Sequence, residues 1–206
     1  MSNIRRQSIL SSLVIYTGFS VGLLNTYFFT RQGTFTKTFT EADYGLTTIF
    51  IAIATIMSAF ASMGMPSYIF KFHPYYNDNL PARKNDMITW ALLVSTIGFV
   101  LVMIAGLLLK HLVIKKFGTN APQLVTYYYW IFPMGLGLTI YTVLEAYAWS
   151  LHKSVLTNFF KEVQWRLFTT LLIVLFITNT IKDFNLFIKL YAFTYPGIAI
   201  SLFVYL

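Results

Sequence analysis

Cysteine is absent from all 206 residues. That excludes a disulfide framework, a thiolate nucleophile and any metal site built on sulfur. Charge is scarce too: Asp, Glu, Lys and Arg make up 11% of the chain, where an ordinary soluble domain carries about 25%. The histidines, His73, His111 and His152, fall in separate connections without ligand spacing, so no metal centre is expected. Paired carboxylates, a serine elbow and a phosphate-cradling glycine loop are all missing, and Gly135-Leu136-Gly137 lacks the rest of a dinucleotide fingerprint. These absences argue against an enzyme and against any bound cofactor. The basic residues form no cluster and no groove-reading motif, so the net charge of +8 points to anionic lipid headgroups and not to nucleic acid.

What fills the chain is apolar: 57% of the residues are hydrophobic. Four long runs, residues 7–30, 44–70, 87–109 and 117–144, contain no Asp, Glu, Lys, Arg or His. A helix crosses the hydrocarbon core with roughly 20 apolar residues, and each run is long enough. Two shorter runs, 167–181 and 190–206, reach spanning length if Arg166 and Lys189 sit near the interfaces and snorkel. Barrel strands alternate polar and apolar residues over about ten positions, which these runs do not. Trp90, Trp130, Trp149 and Trp165 fall near the proposed span ends, where an amphipathic ring prefers the headgroup region. Arg5 and Arg6 precede an apolar stretch too long for a signal peptide, so it reads as the first span.

The expectation is an all-α integral membrane protein, a bundle of about six transmembrane helices. The spans are placed at about residues 8–30, 44–67, 87–109, 125–150, from after 155 to 178, and 186–206. The stretch 71–86, rich in Pro, Asn and Asp, reads as a loop, and 110–116 as a basic connection. Loop charge does not orient the chain: with the N-terminus inside, eight bases fall on the cytoplasmic side and seven outside. Arg5 and Arg6 favour a cytoplasmic N-terminus. The sequence ends without a polar tail, which leads to the expectation of a fragment of a longer chain.

Small residues recur at helical spacing, Gly18 with Gly22 and Ser58 with Ser62, a pattern that lets helix backbones approach. Pro133 with Gly135 and Gly137 is expected to interrupt the fourth span, and Pro196 with Gly197 the sixth. Deep polar residues are few. Asn25 and Thr26 lie late in the first span. Glu145 is the acid within an otherwise apolar run, either a structural partner for a neighbouring base, with Lys153 and Arg166 as the candidates, or a coupling acid. Its position near the end of the fourth span favours the structural role. Glu162 and Arg166, four apart in the favourable order, form a helix ion pair expected at the start of the fifth span.

Several stretches, in this order, carry a resemblance. Ser8-Ile9-Leu10 leads to Gly18-Phe19 and Gly22-Leu23-Leu24-Asn25-Thr26. Phe39-Thr40-Glu41-Ala42-Asp43-Tyr44-Gly45 is an acidic-Tyr-Gly stretch leading into the second span. Ala61-Ser62-Met63-Gly64-Met65 precedes Tyr68-Ile69-Phe70-Lys71-Phe72-His73-Pro74, and Leu144-Glu145-Ala146-Tyr147 precedes Ser154-Val155 and Phe160-Lys161-Glu162-Val163 with Arg166. With these motifs the chain resembles the N-terminal lobe of bacterial polysaccharide-biosynthesis flippases, the O-antigen-type branch of the multidrug/oligosaccharidyl-lipid/polysaccharide exporter superfamily. The resemblance implies a domain covering residues 1–206, one six-helix lobe of a two-lobe transporter in the bacterial cytoplasmic membrane. It also implies a lipid-linked oligosaccharide as the moved partner, with a proton or sodium ion as the coupling species. Asn25, Arg31, Lys71, Arg166 and Lys189 are the candidates for substrate contact. Relatives that flip the peptidoglycan precursor hold its pyrophosphate with arginines in the first helices; the first two spans here carry none. The alternatives are a drug or cation exporter of the same fold and a membrane-embedded transferase.

Overall fold

The computed structural model describes residues 3–30, 39–81, 85–119 and 121–206. Among them the chain forms helices joined by short turns and no strand. The first helix, α1 (Asn3–Thr30), is followed by α2 (Glu41–Ala61). The start of α2 is fixed locally. Asp43 N–H donates to Thr40 Oγ1 at 3.2 Å, and Thr40 N–H donates back to Asp43 Oδ2 at 2.9 Å, closing a capping box. This is the acidic-Tyr-Gly turn of the sequence. The second carboxylate oxygen of Asp43 accepts from Gln123 Nε2 at 3.0 Å and so ties a later connection to the same helix end.

At the far end of α2, Gly64 adopts the left-handed conformation (φ 75°) and Pro66 enters the first turn of α3 (Met65–Asn79). The stretch expected as a loop from residue 71 is therefore helical as far as Asn79. Turn-forming composition is overridden by packing: Ile69 is fully buried against Met87, Ala91, Val143 and Ala146. The Tyr68 hydroxyl donates to that of Tyr76 at 3.2 Å, two turns on, and this bond together with burial pushes the Tyr68 pKa up to about 12. Next come α4 (Met87–Leu108) and a short helix, α5 (Lys110–Phe117), where a basic connection was expected.

The fourth crossing combines α6 (Pro122–Thr126), a 3-10 turn (Tyr128–Trp130) and α7 (Ile131–Ser150). Pro133, Gly135 and Gly137 do not interrupt it. Pro133 lies in the first turn of α7, where its missing N–H costs no helical bond, and the irregularity precedes it. The fifth crossing is continuous from residue 154 to 177, as α8 (Ser154–Asn158), a π-helical stretch (Phe159–Gln164) and α9 (Trp165–Ile177). The sixth is α10 (Phe184–Ala192) and α11 (Thr194–Tyr205), bent at Phe193, three residues before Pro196.

Among the described residues, five segments are long and apolar enough to cross a membrane: Arg5–Thr30, Glu41–Ala61, Met87–Leu108, Tyr128–Ser150 and Phe184–Tyr205. The stretch from residue 154 to 177 matches them in length, at about 36 Å, but carries Lys161, Glu162 and Arg166. Six crossings result, and α7 is their axis: α2, α3, α4 and α11 all pack on it. Of its apolar stretch 72% is buried inside the bundle, against 11% for the peripheral α1. Glycine makes the closest approaches. A Cβ on Gly137 would overlap the Pro196 backbone, and one on Gly98 would overlap the Ala61 carbonyl.

Candidate functional site

Because the fifth crossing begins at Ser154, Arg166 lies twelve residues into it and eleven from its end at Ile177. At about 1.5 Å per residue this puts it roughly 18 Å from the start, near mid-membrane. Arg166 and Trp165 were expected at an interface; the turns from residue 154 to 164, with their polar side chains, are part of the crossing and push both inward. The Trp165 indole there donates to Thr194 Oγ1 at 3.2 Å and packs on the Tyr195 ring, 5.3 Å between centroids.

A charged group at this depth needs a partner. Arg166 Nη2 lies 2.9 Å from Glu162 Oε2, one turn back, so the ion pair expected from spacing is formed. Its seat is the glycine pair of α1. A Cβ on Gly18 would overlap the Glu162 carbonyl, and one on Gly22 would lie 3.1 Å from Arg166 Nε. Two glycines four apart thus make a notch that matches two charged residues four apart on the facing helix. Asn25 locks the same contact. Its Nδ2 donates to the Arg166 carbonyl at 3.0 Å, and its Oδ1 accepts from Thr170 Oγ1 at 2.7 Å.

One group is left over. Arg166 Nη1 is buried and has no hydrogen-bond partner among the described residues. Arg166 and Asn25 line a cavity of about 350 Å³ between α1, α2, α9 and α10. Thr26, Thr47, Thr48 and Thr169 line it with them, and Phe19, Phe29, Tyr44, Trp165 and Tyr191 supply aromatic walls. Each of the four threonines donates its hydroxyl proton to its own helix, to the carbonyls of Gly22, Tyr44 (twice) and Trp165. Their oxygens keep lone pairs that can accept from a guest. The cavity wall therefore carries a guanidinium side chain, hydroxyl acceptors and ring faces. A larger hollow of about 470 Å³ between α4, α7 and α11 is lined by residues such as Leu92, Leu136, Ile140 and Phe203, with no charged group.

The other candidates are scattered. Arg31 lies outside the described residues. Lys71 is exposed on α3, its ammonium 5.3 Å from the Phe72 ring, and Lys189 on α10 reaches the Trp130 ring at 5.4 Å; neither lines the cavity. Glu145 is buried, with both oxygens 3.3 Å from Lys161 Nζ. Its base is thus neither Lys153 nor Arg166 but a residue of the π-helical stretch, which turns Lys161 toward α7 and Glu162 toward α1. Nearby the Tyr141 hydroxyl donates to the Thr157 carbonyl at 2.6 Å. No three His, Asp or Glu side chains gather as a metal site among the described residues. The cavity residues Tyr44, Thr47, Thr48, Trp165, Thr169 and Tyr191 were not foreseen. The available signal was a Thr-Thr pair one turn after Tyr44 and a Trp-Arg pair between apolar runs.

Crossing helices around a buried aromatic core, with a polar cavity at membrane depth, define an all-helical, multi-pass membrane protein. A sequence model of the family described as "Polysaccharide biosynthesis protein" matches residues 34–149, more than half of the chain. The chain belongs to this family, and is a membrane protein of polysaccharide biosynthesis or export. The matched stretch includes α2 to α7; α1 and α9, which hold the Arg166 notch, lie outside it. No curated protein and no solved structure matches the chain.

Proposed function

We propose that this protein moves lipid-linked oligosaccharide units across the bacterial cytoplasmic membrane for surface polysaccharide synthesis, and that the Arg166 cavity contacts the substrate headgroup. The observation that carries this reading is Arg166 itself: a mid-membrane guanidinium with a buried, partner-free Nη1. Leaving such a donor unpaired costs about 1–3 kcal/mol, which an incoming phosphate oxygen would recover. The aromatic walls and threonine oxygens suit sugar rings, whose hydroxyls donate and whose faces stack. Asn25 supports Arg166 from behind and is a positioning residue, because both ends of its amide are already bonded inside the bundle.

Transport requires no covalent step. A substrate that binds two arrangements of the helices with different affinity shifts the equilibrium between them, and the six crossings act as one lobe opposed by a second. With an even number of crossings both ends of the unit share one face, which we assign to the cytoplasm. The family supports the polysaccharide role; the flippase activity rests on the cavity and on the resemblance of the sequence motifs. The test is complementation of a flippase-deficient strain by the gene. Arg166→Gln should abolish surface polysaccharide while the protein remains folded in the membrane, and Arg166→Lys should restore part of it. Normal export by Arg166→Gln would refute the assignment of the site.

A further inference from the structure

The first helix and the fifth crossing rise side by side in the same direction. Gln7 meets the turn before α8, Gly18 meets Glu162, and Asn25 meets Thr170. At 100° per residue Ser11, Gly18 and Gly22 fall within about 40° of one another around α1, so one arc of the helix carries the contact, with Gln7 and Ser8 on its flanks. Where Gly18 brings α1 onto the backbone of its neighbour, the seam is closed. Nearer the N-terminal end it opens. A cavity of about 420 Å³ there is lined by Gln7, Ser8, Ser11, Trp149, Ser154 and Asn158. Small-molecule sites span roughly 300–1,000 Å³, and this one falls among them.

The frame of this cavity is bonded in place. Gln7 Nε2 donates to the His152 carbonyl at 3.2 Å and straps α1 to the turn between α7 and α8. The Trp149 indole donates to Thr157 Oγ1 at 2.7 Å, and that hydroxyl donates in turn to the Ser154 carbonyl at 2.9 Å. The indole is thus held by its edge while the residue stays 45% exposed. The other polar groups are uncommitted. The hydroxyls of Ser8, Ser11 and Ser154 and the side-chain amide of Asn158 make no hydrogen bond among the described residues, whereas Thr17 and Ser20 on the same helix return theirs to the carbonyls four residues back. No charged side chain among the described residues lines the cavity, and Lys153, next to Ser154 in the chain, lies 5.3 Å from the Tyr205 ring instead.

Hydroxyl and amide groups that both donate and accept, beside a fixed indole and without charge, have the chemistry of a sugar site. Ring hydroxyls bond the polar groups, and the C–H face of the sugar packs on the electron-rich indole. A phosphate would find no cation on these walls, and an ammonium no carboxylate. Trp149 ends the fourth crossing and Ser154 begins the fifth, so the cavity lies at headgroup level. We propose that this cavity binds an uncharged sugar headgroup at the membrane boundary. The Gly18–Glu162 contact separates it from the Arg166 cavity, and it does not depend on the transport reading.

The test is lipid retention by native mass spectrometry. The protein would be released from phosphatidylcholine nanodiscs containing equal amounts of monoglucosyl-diacylglycerol and phosphatidylglycerol. The glucolipid should be retained several-fold over the phosphatidylglycerol. Ser8→Ala/Ser11→Ala, which removes two hydroxyls, and Ser11→Leu, which fills the cavity, should each bring the preference to parity, with the melting temperature reporting that the bundle is intact. Arg166→Gln should keep the preference. Millimolar methyl glucoside distinguishes the source of the sugar: displacement of the glucolipid marks the ring alone as the ligand, no displacement marks a lipid-borne headgroup, and either result supports the proposal. Equal retention of the two lipids by the native protein, or an unchanged preference in both serine variants, would overturn it. Loss of the preference in Arg166→Gln alone would also overturn it, since the sugar would then sit in the other cavity.

Discussion

Arg166 is neutralised before any guest arrives, because Glu162 holds its Nη2 edge and leaves Nη1 buried without a partner. A site with no net charge grips a phosphate less firmly than a bare guanidinium and so lets it go. Glu162→Gln should therefore tighten binding of a polyprenyl-phosphate analogue by about 1–2 kcal/mol, roughly tenfold in Kd, while slowing export. Looser binding with slower export would show that Glu162 merely shapes the site. The second pair behaves differently. Glu145 is buried and Lys161 partly exposed, so Lys161→Met strands a carboxylate and should lower stability by about 1–3 kcal/mol. Glu145→Gln leaves a lysine that can still reach water, and should cost less. Thermal melting of the single and double variants separates the two. At this scale the sequence was partly legible. Spacing along one helix identified Glu162 with Arg166, but Lys161 with Glu145 joins two helices through a π-helical stretch that leaves no local pattern of residue types.

Among the elements, α1 and α7 are read by their glycines. Gly18 and Gly137 face backbone at distances no Cβ could occupy, whereas Gly45 has nothing within 4 Å. Gly18→Ala and Gly137→Ala should each destabilise by about 1–3 kcal/mol, since a backbone contact cannot rotate away. Gly45→Ala, in the first turn of α2, should be neutral or stabilising by up to about 1 kcal/mol. Melting curves in detergent would rank the three. The spacing of Gly18 and Gly22 announced close packing, but not that a charged pair would fill the notch. Two stretches expected as connections, α3 and α5, are helical. Gly64 and Pro66 start α3 and Ile69 anchors it to the core, so packing prevails over Pro74 and the polar tail. Lys110 bonds α5 to Tyr129 and Val113 packs on the core, but eight residues are too few to be read as a span.

For the whole molecule, long uncharged runs were enough to reveal the class and about six crossings. The fifth crossing resisted, because Lys161, Glu162 and Arg166 shorten its uncharged run and seem to mark a membrane boundary where the helix in fact continues. The described turns give a topology that can be measured. Single cysteines at Asn79 and His152 should label from one side of the membrane, and those at Thr119 and Asn179 from the other. A shared side for His152 and Asn179 would show that residues 154–177 do not cross. The central position of α7 has an evolutionary consequence. A helix in contact with the bilayer can exchange one greasy side chain for another, since lipid is an indifferent neighbour. With α2, α3, α4 and α11 packed around it, α7 has few such positions, and a change there succeeds only with a matching change on a neighbour. Natural variants should drift freely along the lipid side of α1 and in correlated pairs along α7, a record that deep mutational scanning of the two helices would reproduce within one experiment.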